Sequence, residues 1–369
     1  MNEIIEQFDI PGNCTEIKPY GNGHIHDTYL VETLTNNETR RFILQRLNTH
    51  VFPNPPNIME NILRVTSHIR EKLEKEGFPL KEIDRRVLRI IPTRNSESYY
   101  IDPGQNYWRV YRFIERTCSY DTLQTPEQLY QVAAMFGTFL HTLRDFPQPP
   151  LHDTIPLFHD GPSRFQTFKE VLEADTCNRA HLVKEDIDFI LQNASMFQVI
   201  PRLVSQKKIP TRVTHNDTKI NNILLDRTTH EGMCVIDLDT VMPGVSLYDF
   251  GDLARTTLSV MGEDEPDLSR VFVEIDRFEV ILKGFLHGTH NALNPEEIKH
   301  LVASTRIMTL LIGMRFFTDY LSGDRYFKIH RPQHNLDRAR RQFQLVRSII
   351  QNEDTMNELV QRYTHSLSF

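Results

Sequence analysis

The stretch RVTHNDTKINNILLD, residues 212–226, interrupts an apolar strand-like run with His215, Asp217 and Asn222, then resumes one. "RVTHND" approaches as a short strand, "TKIN" turns, and "NILLD" leaves as a strand. A second apolar run, MCVIDLDTVMPG at 233–244, carries two acidic residues near its end. Asp217 and Asn222 stand five residues apart, and Asn222 and Asp237 fifteen. Phosphoryl transfer needs a carboxylate that orients the attacking hydroxyl, and oxygen ligands for the divalent cation on the phosphates. The same gap of five, followed by a metal-binding Asp on the next strand, marks the catalytic loop of kinases. The spacing gives Asp217 the role of base, and Asn222 and Asp237 those of metal ligands. Side chains that merely cap their own turn are the plainer alternative, and three agreeing positions disfavour it. A literal DFG at 249–251 falls twelve residues after Asp237, behind a Pro-Gly turn. Asp249 therefore reads as a brace for the loop, and Asp239 as a second candidate ligand.

The whole chain sets bounds on this site. Its 369 residues, 39% of them hydrophobic, suffice for a large core. A net charge of -7 offers no general attraction to nucleic acid or an anionic membrane, so neither is an expected partner. Cys14, Cys118, Cys177 and Cys234 lack the paired spacing of a zinc site and read as reduced thiols. MNEIIEQFDIPGN carries acidic residues where a secretory signal has basic and long apolar ones, and no run reaches about 18 apolar residues. The expected localisation is cytoplasmic.

The first third predicts strands with one main helix. HDTYLVETLTNNETRRFILQRLN folds back at Thr35-Asn36-Asn37-Glu38 as a hairpin. NPPNIMENILRVTSHIREKLEKEG, with Ile58, Ile62, Val65 and Ile69 on one face and Gly77 as its stop, predicts an amphipathic helix. KEIDRRVLRIIPTRNSESYYID and YWRVYRFIE add two or three strands. From about residue 117 the pattern becomes helical, beginning at Thr125-Pro126-Glu127 and recurring at about 184–200, 267–289, 295–321 and 335–367. The expectation is an α+β, two-lobed fold of the protein-kinase type. Residues 1–113 would form a small antiparallel nucleotide-binding lobe and 114–369 a larger, mostly helical catalytic and substrate lobe, with a cleft between. The acidic GEDEPD at 262–267 reads as a solvated loop.

Taken together, GNGHIHDTYLV, RFILQRLNT, WRVYRFIE, RVTHNDTKINNILLD, VIDLDTVMPG and GMRFFTDYL resemble the N-acetylhexosamine 1-kinases. These form a branch of the aminoglycoside and choline phosphotransferase family, and the likeness runs from about residue 17 to 350. The resemblance implies ATP- and Mg2+-dependent phosphorylation of the anomeric hydroxyl of a free N-acetylhexosamine, with Asp217 as base and Asn222 and Asp237 on magnesium. One departure stands out. Where such kinases carry a phosphate-contacting lysine, this chain reads ILQR, so Gln45 or Arg46 stands there, on opposite faces of a strand.

Gly21 and Gly23 would bring backbone amides to the phosphates, and two glycines near an Asn also make a plain turn. Phe113, Ile114 and Glu115 end the last small-lobe strand, where a connector's amides would meet adenine. His24 in the resembling enzymes reaches toward the sugar. Arg315, on the buried side of the helix at 295–321, either pairs with Asp319 one turn on or meets the sugar, with Tyr326 beside it. The competing readings are a kinase of another small hydroxyl compound (another sugar, choline or an aminoglycoside), a non-catalytic relative, and a metal-dependent hydrolase. The second would lack Asp217, Asn222 or Asp237, and the third would need more clustered ligands than HND and IDLD supply.

Overall fold

β1 (Asn13–Pro19), β2 (Asp27–Thr35) and β3 (Glu38–Arg46) run antiparallel, with Thr35 opposite Glu38. Asn36 and Asn37 close that turn with left-handed φ angles of 49° and 64°, which asparagine tolerates better than most residues. β4 (Ile90–Ile91), β5 (Tyr100–Ile101) and β6 (Tyr107–Arg112) complete a sheet of order β1-β2-β3-β6-β4, with β5 on β6. Alternation sends Val31, Phe42, Leu44, Trp108 and Val110 to one apolar cluster with Phe8 and Ile91. This computed structural model describes residues 1–21, 25–123 and 125–366, so Gly23 and His24 of the expected site fall outside the described residues.

The sheet belongs to the first of two units, Met1–Thr117 with Phe146–Pro156 and Met233–Met242. Its helices are α1 (Asn2–Ile5), α2 (Pro55–Lys75) and α3 (Leu80–Arg86). α2 buries Ile58, Ile62 and Val65 as their spacing predicts. Buried Asn61 pins it, donating to the carbonyls of His152 (2.8 Å) and Val241 (3.0 Å) and accepting from His152 N–H. α3 is a departure from the expected strand. Leu, Lys, Glu and Arg favour a helix there, and Ile83 alone is buried.

The second unit comprises Cys118–Asp145, Leu157–Gly232 and Pro243–Phe369. Its helices are α4 (Pro126–Thr142), α5 (Gly161–Ala174), α6 (Lys184–Gln192), α7 (Val199–Ser205), α8 (Ser246–Thr257), α9 (Ile275–Thr289), α10 (Pro295–Lys299), α11 (Leu301–Leu321) and α12 (His334–Ser366). Thr125 caps α4 by accepting from Gln128 N–H at 3.2 Å. α4 and α9 approach closely because glycines line the crossing: a Cβ on Gly288 would lie 2.1 Å from the Ala134 carbonyl oxygen. Phe168, Ile190, Phe197, Met308, Leu311, Phe317 and Phe343 form a core around α11. α11 is long and apolar enough to cross a membrane by length and composition, and here most of it is buried in that core.

Three sequence expectations change in this unit. α5 and α8 were not anticipated, and the helix expected over 295–321 divides at His300 into α10 and α11. The acidic 262–267 segment is anchored rather than merely solvated. Glu263 pairs with Arg255 (2.6 Å), Asp264 with Arg338 (2.6 Å) and His334 (3.0 Å), and Arg341 donates to the carbonyls of Met261 and Gly262.

Candidate active site

Within the second unit, strand Arg212–Thr214 leads into a loop whose backbone is held from beneath. The buried Asp249 carboxylate, on α8, accepts the N–H groups of His215 (2.9 Å) and Asn216 (2.7 Å). Thr218 Oγ1 donates to the Asp249 carbonyl at 2.6 Å. Asn216, just before Asp217, takes a left-handed φ of 65°, which asparagine tolerates better than most residues. His215 is fully buried, with Phe136 and Phe139 edge-on to its ring. Asp249 thus does brace the loop. Burial pushes its carboxyl up to about 6, against the pull of His215 and the two N–H groups.

Asp217 and Asn222 meet. Asn222 Nδ2 donates to the Asp217 carbonyl (2.8 Å) and to its carboxylate Oδ2 (3.2 Å), and Lys219 Nζ lies 2.9 Å from Oδ1. Burial would raise the Asp217 carboxyl, and the Lys219 ammonium reverses this, holding it below the ordinary carboxylate range. It is an anion at neutral pH. Lys219 was missed in the sequence, where only its place two residues after Asp217 hints at it. Behind it, Arg255 joins Asp252 (2.8 Å) to Glu263.

Beside the loop lies an aromatic and cationic cluster. His159 Nε2–H donates to the Asn216 carbonyl at 2.7 Å, and its buried Nδ1 has no partner. Burial pulls the ring's pKa down to about 4, so it is neutral. The Arg315 guanidinium lies 5.0 Å from the Phe158 ring centre, 5.7 Å from Phe327 and 5.9 Å from Tyr326. It does not pair with Asp319. That carboxylate instead accepts the N–H groups of Arg325, Tyr326 and Phe327 and the Asn335 amide, all within 2.9 Å. Tyr326 is partly exposed beside Arg315. His159 and Arg164 of this cluster carry no motif.

In the first unit, Asp237 sits at the start of a short 3-10 turn with left-handed backbone angles (φ 59°, ψ 56°), a costly conformation for an aspartate. Asp239 is not a free ligand. Both its oxygens bind the buried Arg109 guanidinium, one at 2.7 Å, and His26 Nε2 lies 2.6 Å from Oδ2. Burial would raise this carboxyl; Arg109 and His26 hold it far below the usual range. Gln45 joins the network, accepting from Arg109 Nε (3.0 Å) and donating to Thr28 (3.0 Å). Arg46 is instead at the surface, paired with Asp27 (2.8 Å). Arg109, a charge inside the apolar run YWRVY, was the overlooked signal. Gly21 has a φ of 75° with open space beside it. Phe113 N–H already donates to the Arg41 carbonyl, the Ile114 carbonyl accepts from Thr117 Oγ1, and Glu115 pairs with Arg41. Glu60, on α2, is exposed and contacts His152.

Among the described residues no group of three His, Cys, Asp or Glu side chains gathers as a metal cage. Magnesium on a nucleotide does not ask for one, since it takes one or two protein oxygens and fills its shell with phosphate and water. The Asn222 NH2 is committed to Asp217, which leaves its amide oxygen as an acceptor, and amide and carboxylate oxygens such as those of Asn222 and Asp237 are of the type the ion takes.

An ionised aspartate on a loop anchored by a buried second aspartate is an arrangement that phosphoryl transfer can use, and the fold is protein-kinase-like. The chain belongs to the phosphotransferase enzyme family, whose profile matches residues 16–274. In fold it is similar to an aminoglycoside phosphotransferase from Alicyclobacillus acidocaldarius (TM-score 0.62, 14% identity, 98% of this chain and 96% of that one). It is also similar to choline kinase from Cryptosporidium parvum (0.55, 16%, 94% and 90%) and to aminoglycoside 2'-phosphotransferase-IIIa solved with GDP (0.55, 12%, 92% and 94%).

Proposed function

We propose that the protein is an ATP- and magnesium-dependent kinase that phosphorylates the anomeric hydroxyl of a free N-acetylhexosamine, N-acetylglucosamine or N-acetylgalactosamine, to the sugar 1-phosphate. The observation that carries this reading is the Asp217 carboxylate, kept ionised by Lys219 and tied to Asn222, beside a cluster of aromatic rings and a guanidinium. Asp217 orients the acceptor hydroxyl and takes its proton as the oxygen attacks the γ-phosphorus. The new O–P bond forms as the bond to the bridging oxygen breaks, and that electron pair leaves on ADP. Magnesium, when bound through Asn222 and Asp237, neutralises charge on the phosphates. Gly21, Gly23, Gln45, Arg46, Phe113, Ile114 and Glu115 are assigned to the nucleotide. Of the pair at the lysine position, Arg46 is paired with Asp27 at the surface and Gln45 is half-buried against Arg109 and Thr28. His24, Arg315 and Tyr326 are assigned to the sugar, the guanidinium donating to its oxygens and the tyrosine packing its apolar face.

Choline and ethanolamine kinases and aminoglycoside phosphotransferases share the fold, and their acceptors are cations. Guanidinium groups in the cluster disfavour such acceptors here. The test is a panel of free sugars, choline, ethanolamine and aminoglycosides, incubated with ATP and magnesium and followed by phosphorus NMR. The expected product is a hexosamine whose phosphorus couples to the anomeric proton. Transfer to choline or an aminoglycoside, and to no sugar, contradicts the assignment.

A further inference from the structure

We infer that the cluster beside Asp217 holds a subsite for an anionic substituent of the acceptor, a carboxylate, sulfate or phosphate ester, built by Arg164 and Arg315 with His159. The inference rests on the acceptor site proposed above and extends it to an acidic derivative of the hexosamine.

Arg164 and Arg315 lack the carboxylate partner that many arginines of the molecule possess. Arg109, Arg179, Arg212, Arg255 and Arg338 each pair with a carboxylate. Among the described residues, Arg315 has neither an ion pair nor a hydrogen bond, only the rings of Phe158, Tyr326 and Phe327. Arg164 has one weak hydrogen bond, from Nε to the Phe158 carbonyl at 3.4 Å. The nearby carboxylates are occupied. Asp160 caps α5 by accepting from Ser163 N–H (2.7 Å), and Asp319 is saturated by three backbone N–H groups and Asn335. Asp217 faces Lys219, and Asp252 faces Arg255.

The two guanidinium groups also feel one another. Burial lowers the pKa of Arg315, the Tyr326 hydroxyl opposes this, and the charge of Arg164 lowers it further. Two half-buried like charges near each other, offset only without contact by Asp160, Asp217 and Asp252, leave an electrostatic deficit that a bound anion fills. Hydroxyls of a neutral sugar accept hydrogen bonds but leave both charges in place. A carboxylate, sulfate or phosphate ester answers the charge and matches the planar fork of each guanidinium. His159 completes the pattern: with Nε2–H fixed on Asn216, its lone pair at Nδ1 is buried and unmet, suited to a hydroxyl or amide N–H of the same ligand. The ring links the subsite directly to the loop that bears Asp217.

The test is calorimetric titration of the full chain with N-acetylglucosamine, its 6-phosphate, its 6-sulfate and its 3-O-lactyl ether, each also assayed for phosphorylation at C1. The three acidic sugars distinguish phosphate, sulfate and carboxylate. At least one should bind about tenfold or more tightly than the neutral sugar, on the scale of one charge-assisted bidentate contact. Arg164→Gln should bring the ratio close to one, and Arg164→Lys, which retains the charge, should restore part of it. Equal or tighter binding of the neutral sugar than of every acidic one overturns the subsite, as does a preference that survives Arg164→Gln. The kinase reading fails separately: an acidic sugar that binds by this pattern and is never phosphorylated at C1 sinks that assignment and leaves the subsite standing.

Discussion

Asp249 shows how much a single buried carboxylate governs. It receives two backbone N–H groups from the loop that carries Asp217, and burial raises its pKa to about 6. Above that value it is the anion both N–H groups require; below it, a proton replaces one acceptor and the loop loses part of its hold. Because the folded pKa lies above the ordinary 3.8, the unfolded chain releases this proton first, and ionisation works against folding between about 4 and 6. Turnover is therefore predicted to fall as pH drops through about 6. Asp217, held below the ordinary range, does not supply that limb. A pH profile of kcat checks this: Asp249→Asn should work more slowly and lack the limb near 6, and an unaltered limb in the variant rejects the explanation. Asp217 and Asn222 were legible because their spacing is local. The partners of Arg315 were not. Its neighbour in sequence, Asp319, suggested a pair one turn apart, but the chain reverses at Gly323 and delivers three N–H groups to that carboxylate.

At the scale of elements, turns and amphipathic faces were readable and fully buried helices were not. The Asn36-Asn37 hairpin, α2 and the start of α4 each carry a local signature that the fold obeys. α8 spaces Leu247, Phe250, Leu253 and Ala254 as a helix does, but its polar residues Asp249, Asp252 and Arg255 are buried as well, so its burial does not follow the polar pattern. α5 has a short cue, Asp160 before Gly161-Pro162, and little periodicity behind it. The α4–α9 crossing depends on glycine in a way that only the packing reveals. Gly288→Ala would put a Cβ 2.1 Å from a main-chain oxygen that has no room to yield. Forcing such a contact costs about 1–3 kcal/mol, and chemical denaturation should register that loss with the m-value unchanged. Stability equal to the parent chain would show that α9 shifts freely along α4.

Over the whole molecule, a chain of net charge -7 with four free cysteines builds a sheet unit around one apolar cluster and a helical unit around α11. Composition offered no general attraction to polyanions, motif spacing indicated phosphoryl transfer, and family membership agrees with a phosphotransferase. The proposed acceptor site, by contrast, draws on residues that only folding brings together: His159 and Arg164 join Arg315 and Tyr326 from segments about 150 residues apart in the chain. All of this converges on one carboxylate, and a single-turnover experiment addresses it. With ATP, magnesium and N-acetylglucosamine, Asp217→Asn should bind nucleotide nearly as well as the parent enzyme while transferring phosphoryl on the order of a thousandfold more slowly. Transfer at a near-normal rate would contradict the assignment of Asp217 as the base.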